Sequence, residues 1–277
     1  MSVTQSKIVE HYGTGALLAR LESALRADGA DPAHPTIEEL APYDQFHGRG
    51  LEATEEMAAL VAVRQSDHLL DVGSGLGGPA RWLSTRFGCR ITGIDLTPEF
   101  CAIAEHLTRL VGLDARVRFQ LGNALALPFD DGTFEGAYSM FVSMNISNKP
   151  KLYGEIFRVL RSGGWLVLSE IARGNDGDVP YPTPWASTAA ESFLSTADDT
   201  QNALRGAGFE VELVRNDLQR TLNYGDRVRA MLGRGEKPPY RANALIHGDT
   251  ASVMLSNVAR GYQEGSLVPI EIVARKR

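Results

Sequence analysis

The stretch His68-Leu69-Leu70-Asp71-Val72-Gly73-Ser74-Gly75-Leu76-Gly77-Gly78 decides the fold. Its apolar run ends at an acid and breaks into glycines, and an amphipathic segment, Pro79 to Phe87, follows. That order predicts a strand, a tight turn and the start of a helix. Glycine in such a turn lets backbone pass close to a ligand. Gly73, Gly75 and Gly78 satisfy G-x-G-x-x-G, but nicotinamide and flavin dinucleotide sites share that pattern, so it does not choose the ligand.

Asp71 is the discriminating residue. A carboxylate two residues before the first glycine repels a pyrophosphate and suits a ligand with an ammonium group, such as the methionine end of S-adenosylmethionine. The run from Asp71 to Arg81 resembles the class I S-adenosylmethionine-dependent methyltransferases. It is most similar to their small-molecule branch, which includes the sterol, tocopherol and sarcosine/dimethylglycine enzymes. The resemblance implies an α/β, Rossmann-like fold: a seven-stranded, mostly parallel sheet with an antiparallel last strand and helices on both faces. It covers residues 68 to 215 well and is thinner outside them.

At 277 residues and 43% hydrophobic, the chain is large enough for one α/β domain with additions. A net charge of −6 argues against a general nucleic-acid binder. Cys89 and Cys101 make neither a disulfide framework nor a metal site, and the histidines lack metal-ligand spacing. With no bilayer-length apolar run and no signal-peptide pattern, the expectation is a cytoplasmic protein away from membranes, a monomer or homodimer.

One methyltransferase domain over 1–277 is expected, with a helical lid at 1–67, a cofactor-binding core at 68–221, a helical cap at 222–265 and the last strand at 266–277. In the lid, Leu17, Leu18, Leu21 and Leu25 share a helical face, and Thr36 with Glu39 reads as a capping box. Strands are expected at 68–72, 91–95, 116–121, 134–140 and 165–171, with helices at 79–87, 98–111 and 150–161, the last closed by Gly163-Gly164. The proline-rich 174–190 reads as a surface connection. A helix at 196–206, a strand at 209–215, two helices in 222–265 and a strand from Val268 to Arg275 complete the reading. Alternating strands and helices place a ligand crevice at the carboxyl ends of the strands.

The cofactor residues expected from this reading are Asp71, Gly73, Ser74 and Gly75 at the turn, and Asp95 and Leu96 after the second strand. Asp95 would accept the ribose hydroxyls; the alternative is that it only caps the next helix. Where the family commonly has an acid followed by alanine, this chain has Asn123-Ala124; the Asn123 carbonyl can still accept from the adenine amino group. Ser139, ending the fourth strand, would lie beside the methionine part, and Tyr12 and Phe46 would close over the cofactor.

Methyl transfer from a sulfonium is an in-line displacement, so the protein mainly aligns the nucleophile and excludes water. His47 is the general-base candidate, as a histidine titrating near neutrality. Asn145 suits orientation, not proton abstraction. Tyr43, Asp44, Met144 and Trp185 are the substrate candidates. Arg227, Arg229, Arg234, Lys237, Arg241 and His247 in the cap imply an anionic acceptor if they point inward, and a solvated helix face if not. The function expected is transfer of a methyl group to a nitrogen, oxygen or carbon of a small molecule. The alternatives are an NAD(P)-dependent oxidoreductase using the same turn and a non-catalytic S-adenosylmethionine-binding protein.

Overall fold

The computed structural model describes residues 15–277, so Tyr12 falls outside the described residues. Three helices come first: α1 (Leu17–Ala27), α2 (Ile37–Asp44) and α3 (Leu51–Ala58). Leu17, Leu21 and Leu25 bury one face of α1. At the start of α2 the capping box forms: Thr36 Oγ1 accepts from Glu39 N at 3.2 Å, and Glu39 Oε2 accepts from Thr36 N at 2.8 Å.

The alternating core is β1 (His68–Val72), α4 (Gly78–Phe87), β2 (Arg90–Asp95), α5 (Pro98–Leu110), β3 (Val117–Leu121), β4 (Phe134–Met140), α6 (Lys149–Val159) and β5 (Leu160–Arg173). After it come α7 (Ala197–Gly206), β6 (Phe209–Asn216), α8 (Leu218–Gly233), α9 (Ala242–His247), α10 (Ala251–Glu264) and β7 (Leu267–Lys276). The seven strands form one sheet in the order β3-β2-β1-β4-β5-β7-β6. β1 to β5 pair in parallel, and β7 runs antiparallel to both its neighbours. Apolar side chains pack on both faces of the sheet, as a parallel sheet flanked by helices requires. Among the described residues, no helix is long and apolar enough to cross a membrane.

Three local expectations differ from the structure. Gly163-Gly164 does not stop a helix: α6 ends at Val159, and the glycines sit inside β5, where the register to β4 jumps from Phe134↔Leu160 to Gly136↔Trp165. A Cβ on Gly164 would lie 2.8 Å from the Arg161 carbonyl oxygen, so the bulge needs glycine there. The cap holds three helices instead of two, because Pro238-Pro239 and Gly248 (φ 57°) interrupt the apolar pattern. The proline-rich connection is partly internal: Thr183 is buried, and Trp185 and Ala186 are buried against Met144, Ile171 and Leu267.

Candidate active site

The turn after β1 does three separate jobs with its glycines. A Cβ on Gly73 would strike Val142, and one on Gly78 would lie 2.5 Å from both the carbonyl and the carboxylate oxygens of Asp44. Gly75, at φ 51°, faces nothing within 4 Å and borders a cleft of about 210 Å³. The open space there is where a ligand would meet backbone.

Asp71, Gly73, Ser74, Gly75, Asp95, Leu96, Asn123, Ala124 and Phe46 all line this cleft, so most of the expected cofactor residues come together. Leu125 and Phe100 extend its apolar wall. Asp95 Oδ2 accepts from Gly75 N at 2.9 Å and Oδ1 from Thr97 N at 2.8 Å. The carboxylate therefore ties the turn to β2 and to the start of α5, and a ribose hydroxyl would share it with those donors. Asn123 Oδ1 already accepts from Leu125 N at 2.9 Å, which leaves one acceptor site for an adenine amino group. Ser139 does not reach the cleft: it is buried, and its hydroxyl donates to Glu170 Oε1 at 3.5 Å. Its side chain shares a face with Val72, its partner in the register, and not with Asp71.

Asp71 is buried, and its Oδ2 has no partner; the buried Ser74 hydroxyl has none either. Burial pushes the Asp71 carboxyl up to about 7; the Tyr138 hydroxyl opposes this, the Asp95 carboxylate adds to it, and Arg81 again opposes it. With the folded value above the unfolded one near 4, this group's contribution to stability is complete below about pH 4 and is lost as pH rises through about 7. An ammonium group bound beside Asp71 reverses that loss. S-adenosylmethionine affinity is accordingly expected to weaken about tenfold per pH unit below about pH 7, and Asp71→Asn is expected to flatten the profile. Titration calorimetry from pH 5.5 to 8.5 checks this; a wild-type profile as flat as the variant's refutes the assignment.

A second, larger cavity of about 600 Å³ opens beyond the first. Phe46, His47 and Phe141 line both, so the two spaces meet there. Arg49 (φ 65°) and Phe141 (φ 59°) are held in the left-handed region that bulky residues rarely adopt, and both line the larger cavity. Met144 and Trp185 form part of its wall, and Trp185 Nε1 donates to Ser192 Oγ at 2.9 Å. Asn145 lines the smaller cleft, with Nδ2 donating to the Val142 carbonyl at 3.4 Å.

Tyr43 and Asp44 part company, because consecutive helical residues point about 100° apart. Asp44 borders the cleft and pairs with buried Arg81 at 2.8 Å. Tyr43 turns to the other side of α2, where its hydroxyl donates to Asp28 Oδ2 at 2.6 Å and Arg241 lies over its ring. It borders neither cavity, so no substrate contact is assigned to it.

His47 differs from the expected base. Burial drives its ring down to about 4, and its nitrogens are already placed, Nδ1 3.3 Å from the Gly48 carbonyl and Nε2 3.1 Å from Thr54 Oγ1. A base that weak takes little of a proton at neutral pH. Reasoning from sequence passed over Glu170, a buried carboxyl in the larger cavity's wall. Burial pushes its carboxyl up to about 7, opposed by backbone N–H donation from Ser143 and by Lys149. Ser143 N donates to it at 3.2 Å, and Lys149 Nζ braces the same turn by donating to the Ser143, Ile146 and Phe193 carbonyls at 2.6 Å. The signal for Glu170 was present: one acid inside the apolar run Trp165-Leu166-Val167-Leu168-Ser169-Glu170-Ile171.

Glu56, Asp217 and Glu271 also converge. Three arginines thread the cluster: Arg49 lies 2.9 Å from Glu56 and 3.4 Å from Asp217, Arg220 lies 3.5 Å from Glu56, and Arg215 pairs with Asp217 and Glu271. The group is an ion-pair network that ties the lid to the end of β6, the start of α8 and β7.

A Rossmann-like sheet whose glycine turn is underlain by a buried carboxylate with one oxygen lacking a partner fits an S-adenosylmethionine site. The chain belongs to the class I S-adenosylmethionine-dependent methyltransferases. Residues 70–168 match the family model described as a methyltransferase domain. The chain is 30% identical over 218 residues to the O-methyltransferase cnsE of Penicillium expansum, covering 68% of this chain and 78% of that one. It is 38% identical over 163 residues to 24-methylenesterol C-methyltransferase 2 of Oryza sativa subsp. japonica, covering 57% of this chain and 45% of that one. A structure of geranyl diphosphate methyltransferase with geranyl diphosphate and sinefungin superposes with a TM-score of 0.74 over 100% of both chains, at 20% identity. The enzyme therefore uses S-adenosylmethionine, which the open space at Gly75 and the unpartnered Asp71 oxygen fit.

Proposed function

We propose that this enzyme methylates a small, largely apolar acceptor held in the larger cavity, with the stretch from Phe46 to Ala53 and the cap (222–265) enclosing it over the core. The observation that carries the reading is the meeting of the two cavities at Phe46, His47 and Phe141. About 600 Å³ is within the range that holds a drug-sized molecule, and the wall is mostly apolar, with Met144, Ile171, Trp185, Leu222 and Val258 in it. Relatives with named acceptors support it, among them the C-methyltransferase of a sterol. S-adenosylmethionine, when bound, supplies an electrophilic methyl group. The chain's own part is to hold the nucleophile in line, keep water out and take a proton where the nucleophile carries one.

Glu170 is the proposed proton acceptor and His47 a positioning residue at the junction. Glu170→Gln is expected to lower kcat about a hundredfold with S-adenosylmethionine affinity little changed. At saturating substrates, wild-type kcat should rise with pH through about 7, and the variant should lose that limb. A variant with wild-type kcat, or a wild-type limb near the His47 value of about 4, returns the role to His47. The activity itself is tested by following tritiated methyl transfer to apolar alcohols, phenols, amines and alkenes. Tight S-adenosylmethionine binding with no transfer to any of them overturns the acceptor reading.

A further inference from the structure

Within the apolar wall of the larger cavity, the cap contributes two buried polar atoms without a partner: the Asn243 carboxamide oxygen and the Tyr224 hydroxyl. Asn243 is 5% exposed. Its Nδ2 donates to the Tyr240 hydroxyl at 2.6 Å, which fixes the amide plane and leaves Oδ1 without a partner in a residue of the cavity wall. A buried carbonyl oxygen without a hydrogen bond is unfavourable, and a ligand that supplies a donor removes that penalty.

The cap's cations do not offer an alternative anchor. Arg227 is paired with Glu52 at 2.6 Å, Arg229 with Asp226, Arg234 with Glu236, and Lys237 and Arg241 with Asp28. Arg49, the buried cation in the cavity wall, is held by Glu56 and Asp217. A diphosphate or carboxylate entering here would have to compete with those carboxylates. A neutral donor meets no such competition.

We propose that Asn243 is the specificity-determining residue of the acceptor cavity, recognising a neutral hydroxyl on an otherwise apolar acceptor by accepting its hydrogen bond. The Tyr224 hydroxyl offers a second neutral anchor on the same roof; burial pushes this phenol up to about 12, so it keeps its proton to donate. The proposal rests on the apolar-acceptor reading above and adds to it the group by which the acceptor is chosen.

The test uses the full chain with S-adenosylhomocysteine bound and calorimetric titration of three alcohols: farnesol, 5α-androstan-3β-ol and 4-octylphenol. Each is compared with its own O-methyl ether, which keeps the carbon skeleton and the acceptor lone pairs, adds one methyl group and has no proton to donate. At least one alcohol is expected to bind about tenfold more tightly than its ether. Asn243→Leu should bring that alcohol to the level of the ether while leaving S-adenosylhomocysteine affinity unchanged. Equal binding of every binding alcohol and its ether by the wild type overturns the proposal, without recourse to a variant that must fold. A preference that survives Asn243→Leu overturns it too. Failure of all six compounds to bind removes the apolar-acceptor reading itself, and this proposal with it.

Discussion

Arg81→Met is expected to destabilise the protein by about 3–5 kcal/mol, the cost of leaving one partner of a buried ion pair alone. Arg81 is completely buried. Its Nη2 donates to Asp44 Oδ2 at 2.8 Å and to the Leu76 carbonyl at 2.6 Å, and its Nη1 to Thr108 Oγ1 at 3.1 Å and the Ala104 carbonyl at 3.2 Å. One side chain thus joins the lid, the glycine turn and α5. Burial already pushes the Asp44 carboxyl up against the pull of Arg81. Without the guanidinium, Asp44 takes up a proton, and the orphaned carbonyls account for much of the loss. Arg81→Met with Asp44→Leu should recover more than half of it, because a well-packed apolar pair avoids the desolvation of both charges. Urea unfolding with an unchanged m-value measures both. A single variant within 1 kcal/mol of wild type shows that the pair does not hold the lid to the turn.

Asp95→Ala is expected to weaken S-adenosylmethionine binding by two to four orders of magnitude. Two charge-assisted hydrogen bonds to ribose hydroxyls are worth roughly 1.5–3 kcal/mol each. The same carboxylate receives Gly75 N and Thr97 N, so the variant also loosens the turn and the start of α5. Asp95→Asn separates the two effects: one amide oxygen can serve one backbone donor, so cofactor affinity should fall by an intermediate amount. Calorimetric titration and thermal unfolding without ligand, read together, decide the matter. Wild-type affinity in the alanine variant, with lowered thermal stability, would assign Asp95 to backbone capping alone.

What the sequence made legible was local or periodic. The turn from Asp71 to Gly78, the capping box at Thr36 and Glu39 and the strand–helix alternation each depend on residues a few positions apart, and all appear in the structure. What stayed hidden depends on which distant segments cover a residue. His47 reads as an ordinary histidine until Gln45, Thr54 and Phe141 enclose it. Glu170 reads as one acid in a strand until the turn at Val142 and Ser143 donates to it. Asn243 and Tyr224 gave no signal, since neither residue type is unusual on an amphipathic helix and only the fold puts them in one wall. Gly163-Gly164 misled because a glycine pair after a helical pattern resembles a stop, whereas a strand bulge asks for the same residue.

The floor of the two cavities comes from the ends of the parallel strands, whereas the covering comes from α2, α3, α8, α9 and α10, two stretches far apart in the chain. Substitutions in α8, α9 and α10, which border the larger cavity and not the smaller cleft, would change what is admitted without touching the residues that line the cofactor cleft. Acceptor preference in this scaffold is therefore free to diversify by mutational drift while the methyl donor stays the same. Exchanging the covering helices between homologues is a rational way to re-target the enzyme.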